Sequence, residues 1–271
     1  MRLTFLGTGT SFGVPQVGCG CDVCCSDDPH NRRSRTAALL EAGGRTVLID
    51  TPPELRLQLI RAERARGADG RPAPLRVDAV LYTHEHADHV NGIDDLRVFS
   101  VRQPEPLPLY GPAEAMARLR ASFGYIFDDA VRPYSGTSKP RLELHALEPG
   151  RCTEVAGMLV LPLAFEHGHV RVFGYRVGDV AYVTDVKAVP EAARALLRGV
   201  RVLVLNALWW RPHPTHMSIG EAVETARAIG AERTYLTHLT HETDHAELAA
   251  RLRDEAAGIA PAYDGLTVEV G

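Results

Sequence analysis

Short apolar runs, broken by glycine, proline and charge, recur along the whole chain, and their lengths suit strands. Segments 3–6, 37–41 and 46–49 read as the first three, with Gly43-Gly44 turning the last two into a hairpin. Segment 54–63, entered through Pro52-Pro53, has a helical pattern, and 64–74, rich in Gly, Pro and Arg, is a loop. Segment 77–83 is an apolar strand that delivers the chain straight into His84. Further strands are predicted at 107–110, 159–165, 180–184, 202–205 and 234–237, and helices at 113–123, 191–197, 219–229 and 245–255. The helix at 219–229 has the best local signals, because Ser218 and Glu221 make a capping box and Gly230 a stop. No repeat, low-complexity tract or linker divides the chain, so residues 1–271 are expected to form a single domain. Mixed strands followed by strand–helix alternation predict an α/β sandwich with function at the strand ends.

A length of 271 residues, 45% of them hydrophobic, allows a sizeable core. No run approaches a membrane-spanning length. Segment 1–13 has one basic residue and reaches Gly-Thr-Gly-Thr-Ser before any apolar block, so it does not read as a signal peptide and a cytoplasmic location is expected. The net charge of −4 leaves no footprint for duplex nucleic acid. Disorder, collagen and coiled coil are excluded by the same composition.

The informative counts are 12 histidines and 5 cysteines. Cys19, Cys21, Cys24 and Cys25 are too close in sequence to staple distant segments, so the cluster points to metal before disulfide. Cys152 stands alone and reads as a small buried side chain. His84-Glu85-His86-Ala87-Asp88-His89 follows directly on a buried strand. Three imidazoles and a carboxylate there come within reach of one or two cations. His167, Asp185 and His238 each sit just past a later apolar strand, the same architectural position. His30, His145, His169 and His245 read as surface histidines. The glycine-rich start lacks the Gly-Lys-Ser/Thr of a P-loop.

HxHxDH after a strand, then single His, Asp and His residues at later strand ends, resembles the metallo-β-lactamase superfamily across nearly the whole chain. That resemblance implies a four-layer αββα sandwich, two mixed sheets packed face to face with helices outside, and a binuclear metal centre. It assigns His84, His86 and His167 to one metal and Asp88, His89 and His238 to the other, with Asp185 bridging. Asp50 matches an outer position that orients ligand histidines. Within the superfamily, three stretches resemble PhnP-type cyclic phosphodiesterases. They are Gly7-Thr8-Gly9-Thr10-Ser11 through Gly18-Cys19-Gly20-Cys21-Asp22-Val23-Cys24, Phe173-Gly174-Tyr175, and Thr237-His238-Leu239-Thr240-His241.

In that group Cys19, Cys21, Cys24 and His241 would hold a structural zinc, a closed tetrahedral set. Cys25 exceeds the pattern and reads as a spare thiol, with replacement of Cys24 as the alternative. His216 resembles a general acid, with Asp88 and Asp185 the other catalytic positions. His213 is either a substrate-contacting neighbour or a loop residue, and Trp209 and Trp210 would pack under a loop. The chain departs from the pattern at Gly168-His169 and Asn206, positions that bear on substrate.

The resemblance implies a phosphodiesterase that opens a small cyclic phosphate, of the phosphoribosyl 1,2-cyclic or 2′,3′-cyclic nucleotide type. Its nucleophile would be a hydroxide shared by two divalent ions, zinc or manganese and also iron by the donor chemistry. It also implies a homodimer. The competing readings are a carbonyl-ester hydrolase (lactonase or thioesterase) on the same site, and an accessory protein of cofactor biosynthesis. No basic arm for clamping RNA is visible.

Overall fold

The computed structural model describes residues 1–271 and contains two seven-stranded mixed sheets. The first holds β1 (Arg2–Gly7), β2 (Ala37–Ala42), β3 (Arg45–Ile49), β4 (Ala79–Leu81), β5 (Leu107–Gly111), β6 (Leu142–Ala146) and the C-terminal β14 (Thr267–Glu269), in the order 14-1-2-3-4-5-6. The second holds β7 (Thr153–Val155), β8 (Met158–His167), β9 (Val170–Val177), β10 (Val180–Val183), β11 (Val202–Asn206), β12 (Arg233–Thr237) and β13 (Ile259–Pro261), in the order 13-12-11-10-9-8-7. Five longer helices flank them: α1 (Leu55–Arg66), α2 (Ala113–Ser122), α3 (Glu191–Leu197), α4 (Ile219–Ile229) and α5 (His245–Glu255).

Side-chain alternation along the strands produces the layers. Phe5, Val47, Ile49 and Leu81 of the first sheet meet Tyr175, Tyr182 and Val204 of the second in one core between the sheets. The opposite faces pack outward: Leu6, Leu39 and Leu48 against Leu55, Leu59 and Leu119, and Leu203, Leu205 and Leu236 against Ile219, Ala226 and Leu252. The result is the expected αββα sandwich. Each fully buried Leu or Ile contributes about 1.5–3 kcal/mol, so the layering rests on these faces. The Ser218–Glu221 capping box and a left-handed Gly230 end α4 as its sequence predicts.

Several boundaries differ from expectation. The helix predicted over 54–63 runs to Arg66, because nothing breaks it before Gly67. The strand predicted over 77–83 pairs only at Ala79–Leu81. Strand β9 was not anticipated. Residues Val172, Phe173, Gly174 and Tyr175 are buried in succession, which removes the alternating signal, and Gly174 mimics a turn. Gly174 is there because a Cβ would lie 2.9 Å from Phe165 and 3.0 Å from Val183. The three-residue β7, β13 and β14 also lack a local pattern of their own, whereas β6 alternates apolar and polar residues (Leu142, Glu143, Leu144, His145) and was not anticipated either. Cys152 is exposed rather than buried. His30 and His245 are not free surface histidines: they stack at 4.8 Å and both meet the Tyr263 ring edge-on. No helix is long and apolar enough to cross a membrane.

Candidate metal centre

Both sheets deliver chemistry-bearing residues from the ends of their parallel strands. Asp50 follows β3, His84 follows β4, Asp185 follows β10 and His238 follows β12. Asp50, Asp185 and His238 all have left-handed backbones, with φ of 61°, 57° and 60°. Such conformations are costly for non-glycine residues and persist where surrounding structure enforces them, typically at functional sites. The motif His84–His89 turns sharply, with Ala87–Val90 forming one helical turn.

Hydrogen bonds fix how the imidazoles face. Thr83 donates its hydroxyl to Asp50 Oδ2 at 2.8 Å, so Thr83 Oγ1 is left to accept from His84 Nδ1 at 2.9 Å. His89 Nδ1 donates to Asp50 Oδ2 at 2.7 Å, and His167 Nδ1 to the Thr215 carbonyl at 3.1 Å. Thr36 donates to the Gly9 carbonyl at 2.8 Å and so accepts from His238 Nδ1 at 3.2 Å. Four imidazoles thus spend their Nδ1 protons on the scaffold and turn bare Nε2 lone pairs inward, the ligating form.

What those lone pairs meet tests the fit of a cation. His84 Nε2 faces His86 Nδ1 at 2.9 Å, and His238 Nε2 faces Asp185 Oδ1 at 3.2 Å. His89 Nε2 is buried without a hydrogen-bond partner, 3.4 Å from Asp88 Oδ2 and 3.5 Å from Asp185 Oδ2. Acceptors gathered against acceptors in a buried space are the donor set of a hard-to-borderline divalent ion, and the residues fit one.

The electrostatics agree. Burial pushes His84 well below its ordinary pKa and His238 down to about 4, keeping both neutral. At His89 burial acts the same way, but Asp185, Asp88 and Asp50 outweigh it and draw positive charge to this point. Burial works to raise Asp185, and the imidazoles of His238 and His89 hold it well below the ordinary carboxylate range.

Three groupings at this centre have ligand atoms within 4.8 Å of one another: His84, His86 and His167; His84, His89 and Asp185; and His167, Asp185 and His216. The structure therefore brings together all seven strand-end residues singled out in the sequence, Asp88 and His238 through their contacts to His89 and Asp185. His216 Nε2 lies 3.1 Å from Asp185 Oδ1, and its Nδ1 lies 3.0 Å from Thr215 Oγ1 and 3.3 Å from His213 Nδ1. His213 is thereby in contact with the site rather than a detached loop residue. Trp209 and Trp210 carry the guanidinium groups of Arg211 and Arg251 over their rings, each at 3.8 Å.

Cys19, Cys21, Cys24 and His241 form a fourth grouping on the same distance criterion, and Cys25 is exposed outside it. His241 Nδ1 lies 3.3 Å from Cys19 Sγ and 3.4 Å from Cys21 Sγ. Those spacings are a little inside the roughly 3.6 Å N···S edge of a tetrahedron with Zn–N and Zn–S bonds of about 2.1 and 2.3 Å. The Cys24 backbone N–H and His241 lower Cys21 to about 6, whereas burial raises Cys24 to about 11. The donors fit zinc. Sequence reasoning missed Thr36 and Thr83, whose hydroxyls orient ligands. Only the paired strands show which threonine meets which imidazole.

A histidine–aspartate cluster at the strand ends of an αββα sandwich defines a metallo-β-lactamase-fold hydrolase. The chain belongs to that superfamily: residues 45–239 match a beta-lactamase superfamily domain. It is similar, at 37% identity and a TM-score of 0.86 over 100% of this chain and 98% of the other, to the crystal structure of a new diphosphatase from the PhnP family. It is 38% identical over 273 residues to an octanoyltransferase of Porphyromonas gingivalis, covering 98% of this chain but spanning only 51% of that protein. A ribonuclease Z of Mycobacterium sp. is 28% identical over 262 residues, 88% of this chain and 84% of the relative.

Proposed function

We propose that residues 1–271 form one metallo-β-lactamase-like domain acting as a binuclear metal-dependent phosphodiesterase. Its substrate is a small cyclic phosphate, of the phosphoribosyl 1,2-cyclic or 2′,3′-cyclic nucleotide type. The observation that carries this reading is the set of four imidazoles with Nδ1 committed to the scaffold, with Nε2 of His89 and His238 turned toward Asp185 and that of His84 toward His86. The likeness to a PhnP-family diphosphatase supports a phosphoryl rather than a carbonyl substrate. Antiparallel pairing of β1 with β14 ties the two chain ends together, which supports a single unit.

His84, His86 and His167 would hold one divalent ion and Asp88, His89 and His238 the other, with Asp185 between them. When bound, the ions supply Lewis acidity to phosphoryl oxygens and an acidified water. Asp50 keeps the His89 ring turned inward and, through Thr83, the His84 ring. His216, at the mouth of the site, gives a proton from Nε2 to the departing alkoxide. Cys19, Cys21, Cys24 and His241 would hold a structural zinc that pins the N-terminal loop to the segment carrying His238.

The test is metal content matched with turnover. Three ions per chain, one of them surviving mild chelation, are expected. So is hydrolysis of bis(p-nitrophenyl) phosphate and 2′,3′-cyclic nucleotides, with no action on a lactone or thioester. Turnover of carbonyl esters alone would move the assignment to an ester hydrolase.

A further inference from the structure

The loop that carries His216 is fastened on several sides. Leu208 donates its backbone N–H to the Met217 carbonyl at 2.9 Å, and Met217 donates to the carbonyl of Val186, next to Asp185, at 3.0 Å. From another side His167 Nδ1 donates to the Thr215 carbonyl at 3.1 Å. Packing turns the Thr215 side chain as well. Its methyl carbon lies 3.4 Å from where a Cβ on Gly168 would stand, and Gly168, with φ of 62°, has none. With the methyl lodged there, the hydroxyl of this β-branched residue faces the imidazoles of His213 and His216.

The proton on each of these groups is fixed by its neighbour. A backbone N–H can only donate, and that of Thr215 points at His213 Nδ1, 3.3 Å away. His213 therefore presents a bare Nδ1 and holds its proton on Nε2. Thr215 Oγ1 lies 3.3 Å from the same nitrogen, so the hydroxyl donates there and offers its lone pairs to His216 Nδ1 at 3.0 Å. His216 Nδ1 is thus met by acceptors alone, Thr215 Oγ1 and, at 3.3 Å, His213 Nδ1. Its Nε2 faces Asp185 Oδ1 at 3.1 Å. A histidine that gives a proton from Nε2 keeps the other on Nδ1 throughout, and that proton needs an acceptor.

We propose that Thr215, backed by His213, is the positioning residue of the acid. Its hydroxyl holds the His216 Nδ1 proton and so leaves Nε2 as the nitrogen that protonates the leaving group. The inference rests on the phosphodiesterase reading for the departing alkoxide, while the proton assignments stand on the hydrogen bonds themselves.

The experiment uses two diesters that differ in leaving group. 2′,3′-Cyclic AMP expels an alkoxide, which needs a proton, whereas bis(p-nitrophenyl) phosphate expels a stabilised phenolate, which does not. Thr215→Val keeps the methyl and the carbonyl that holds His167 but removes the hydroxyl. In the metal-loaded chain it should lower kcat for cyclic AMP relative to kcat for the phenyl ester by about tenfold, the worth of one hydrogen bond, with KM little changed. Thr215→Ser should restore the ratio. His213→Phe, which keeps a ring against Trp209, should lower it less. In a His216→Ala background Thr215→Val should lower it no further, because the hydroxyl acts through that imidazole. Equal losses on both esters, or a loss that persists without His216, overturn the assignment. Histidine 15N spectra of the zinc-loaded chain read the protons directly. They should show His213 bare at Nδ1 and His216 protonated there, with the His216 proton exchanging faster in Thr215→Val. A proton on His213 Nδ1, or none on His216 Nδ1, overturns the assignment too. If the wild-type chain turns over neither ester, the phosphodiesterase reading fails, and the spectra alone decide the role of Thr215.

Discussion

The two donor clusters of this protein are built in opposite ways. At the strand ends, His84, His89 and Asp185 are buried, stand on paired strands or the turns that follow them, and are locked by hydrogen bonds through Nδ1 or backbone strain. At the cysteine cluster all four donors are only half-buried, and three stand on a loop whose one helical turn, Asp22–Cys25, has no buried residue. The His241 arm is the more firmly held from behind, whereas Cys24 Sγ accepts one backbone N–H, from Gln16 at 3.3 Å. Behind His241 the buried Arg33 guanidinium donates to the Thr240 carbonyl at 2.5 Å and the Thr243 carbonyl at 2.8 Å. The fold locks the first cluster and frames the second more loosely, so on the proposed reading an ion would add chemistry at the first and structure at the second.

The comparison breaks most visibly at Asp185. Asp185→Asn is expected to lower kcat/KM for a phosphodiester by about 10³-fold, beyond the 10–100-fold typical of an outer partner, with little loss of folding. Steady-state kinetics alongside circular dichroism will show whether the two separate. Asp50→Asn, which disturbs the His89 contact directly and His84 through Thr83, should cost about 10–100-fold in metal affinity or rate. An effect as large as that of Asp185→Asn would mean that Asp50 does more than orient.

At the other cluster, Cys24→Ala should release one tightly held zinc and lower Tm by several degrees, with a smaller effect on rate. Hydrogen exchange should rise over 19–25 in the variant or on chelation, and stay low at β4 and β10. Similar loosening at both clusters would remove the distinction drawn between them.

A gentler probe is pH. Burial, helped by His30 and Arg33 and opposed by Asp28 and Asp244, lowers His245 from 6.5 to about 4. A depressed histidine keeps the fold more stable above pH 6.5 and loses that contribution as pH falls toward 4. The fall in Tm across this window should therefore be shallower in His245→Asn. Smallest of all, Ser218→Ala removes one helix cap, worth about 1 kcal/mol or 2–4 °C in Tm, and should leave activity unchanged.

Much of this was legible in the linear order because the signals are local. The α4 cap box, the Gly43-Gly44 hairpin and the compact histidine motif each depend on residues a few positions apart. β9 was illegible because burial on both faces erases the two-residue period, and β14 because a three-residue strand exists only through pairing with β1. The pairing of His30 with His245 was hidden for the same reason: it joins segments distant in sequence around Tyr263.

By itself, then, the amino-acid order determined which residues could ligate metal and that they would sit past apolar strands, since residue chemistry and strand periodicity are properties of short stretches. The tertiary structure alone decided which nitrogen each imidazole turns inward. It left Cys25 exposed outside the sulfur cluster, where the resemblance had already placed Cys24, and opened space in front of the exposed alanines of α2. Those outcomes depend on hydrogen bonds and packing between strands and loops far apart in the chain, which no local pattern encodes.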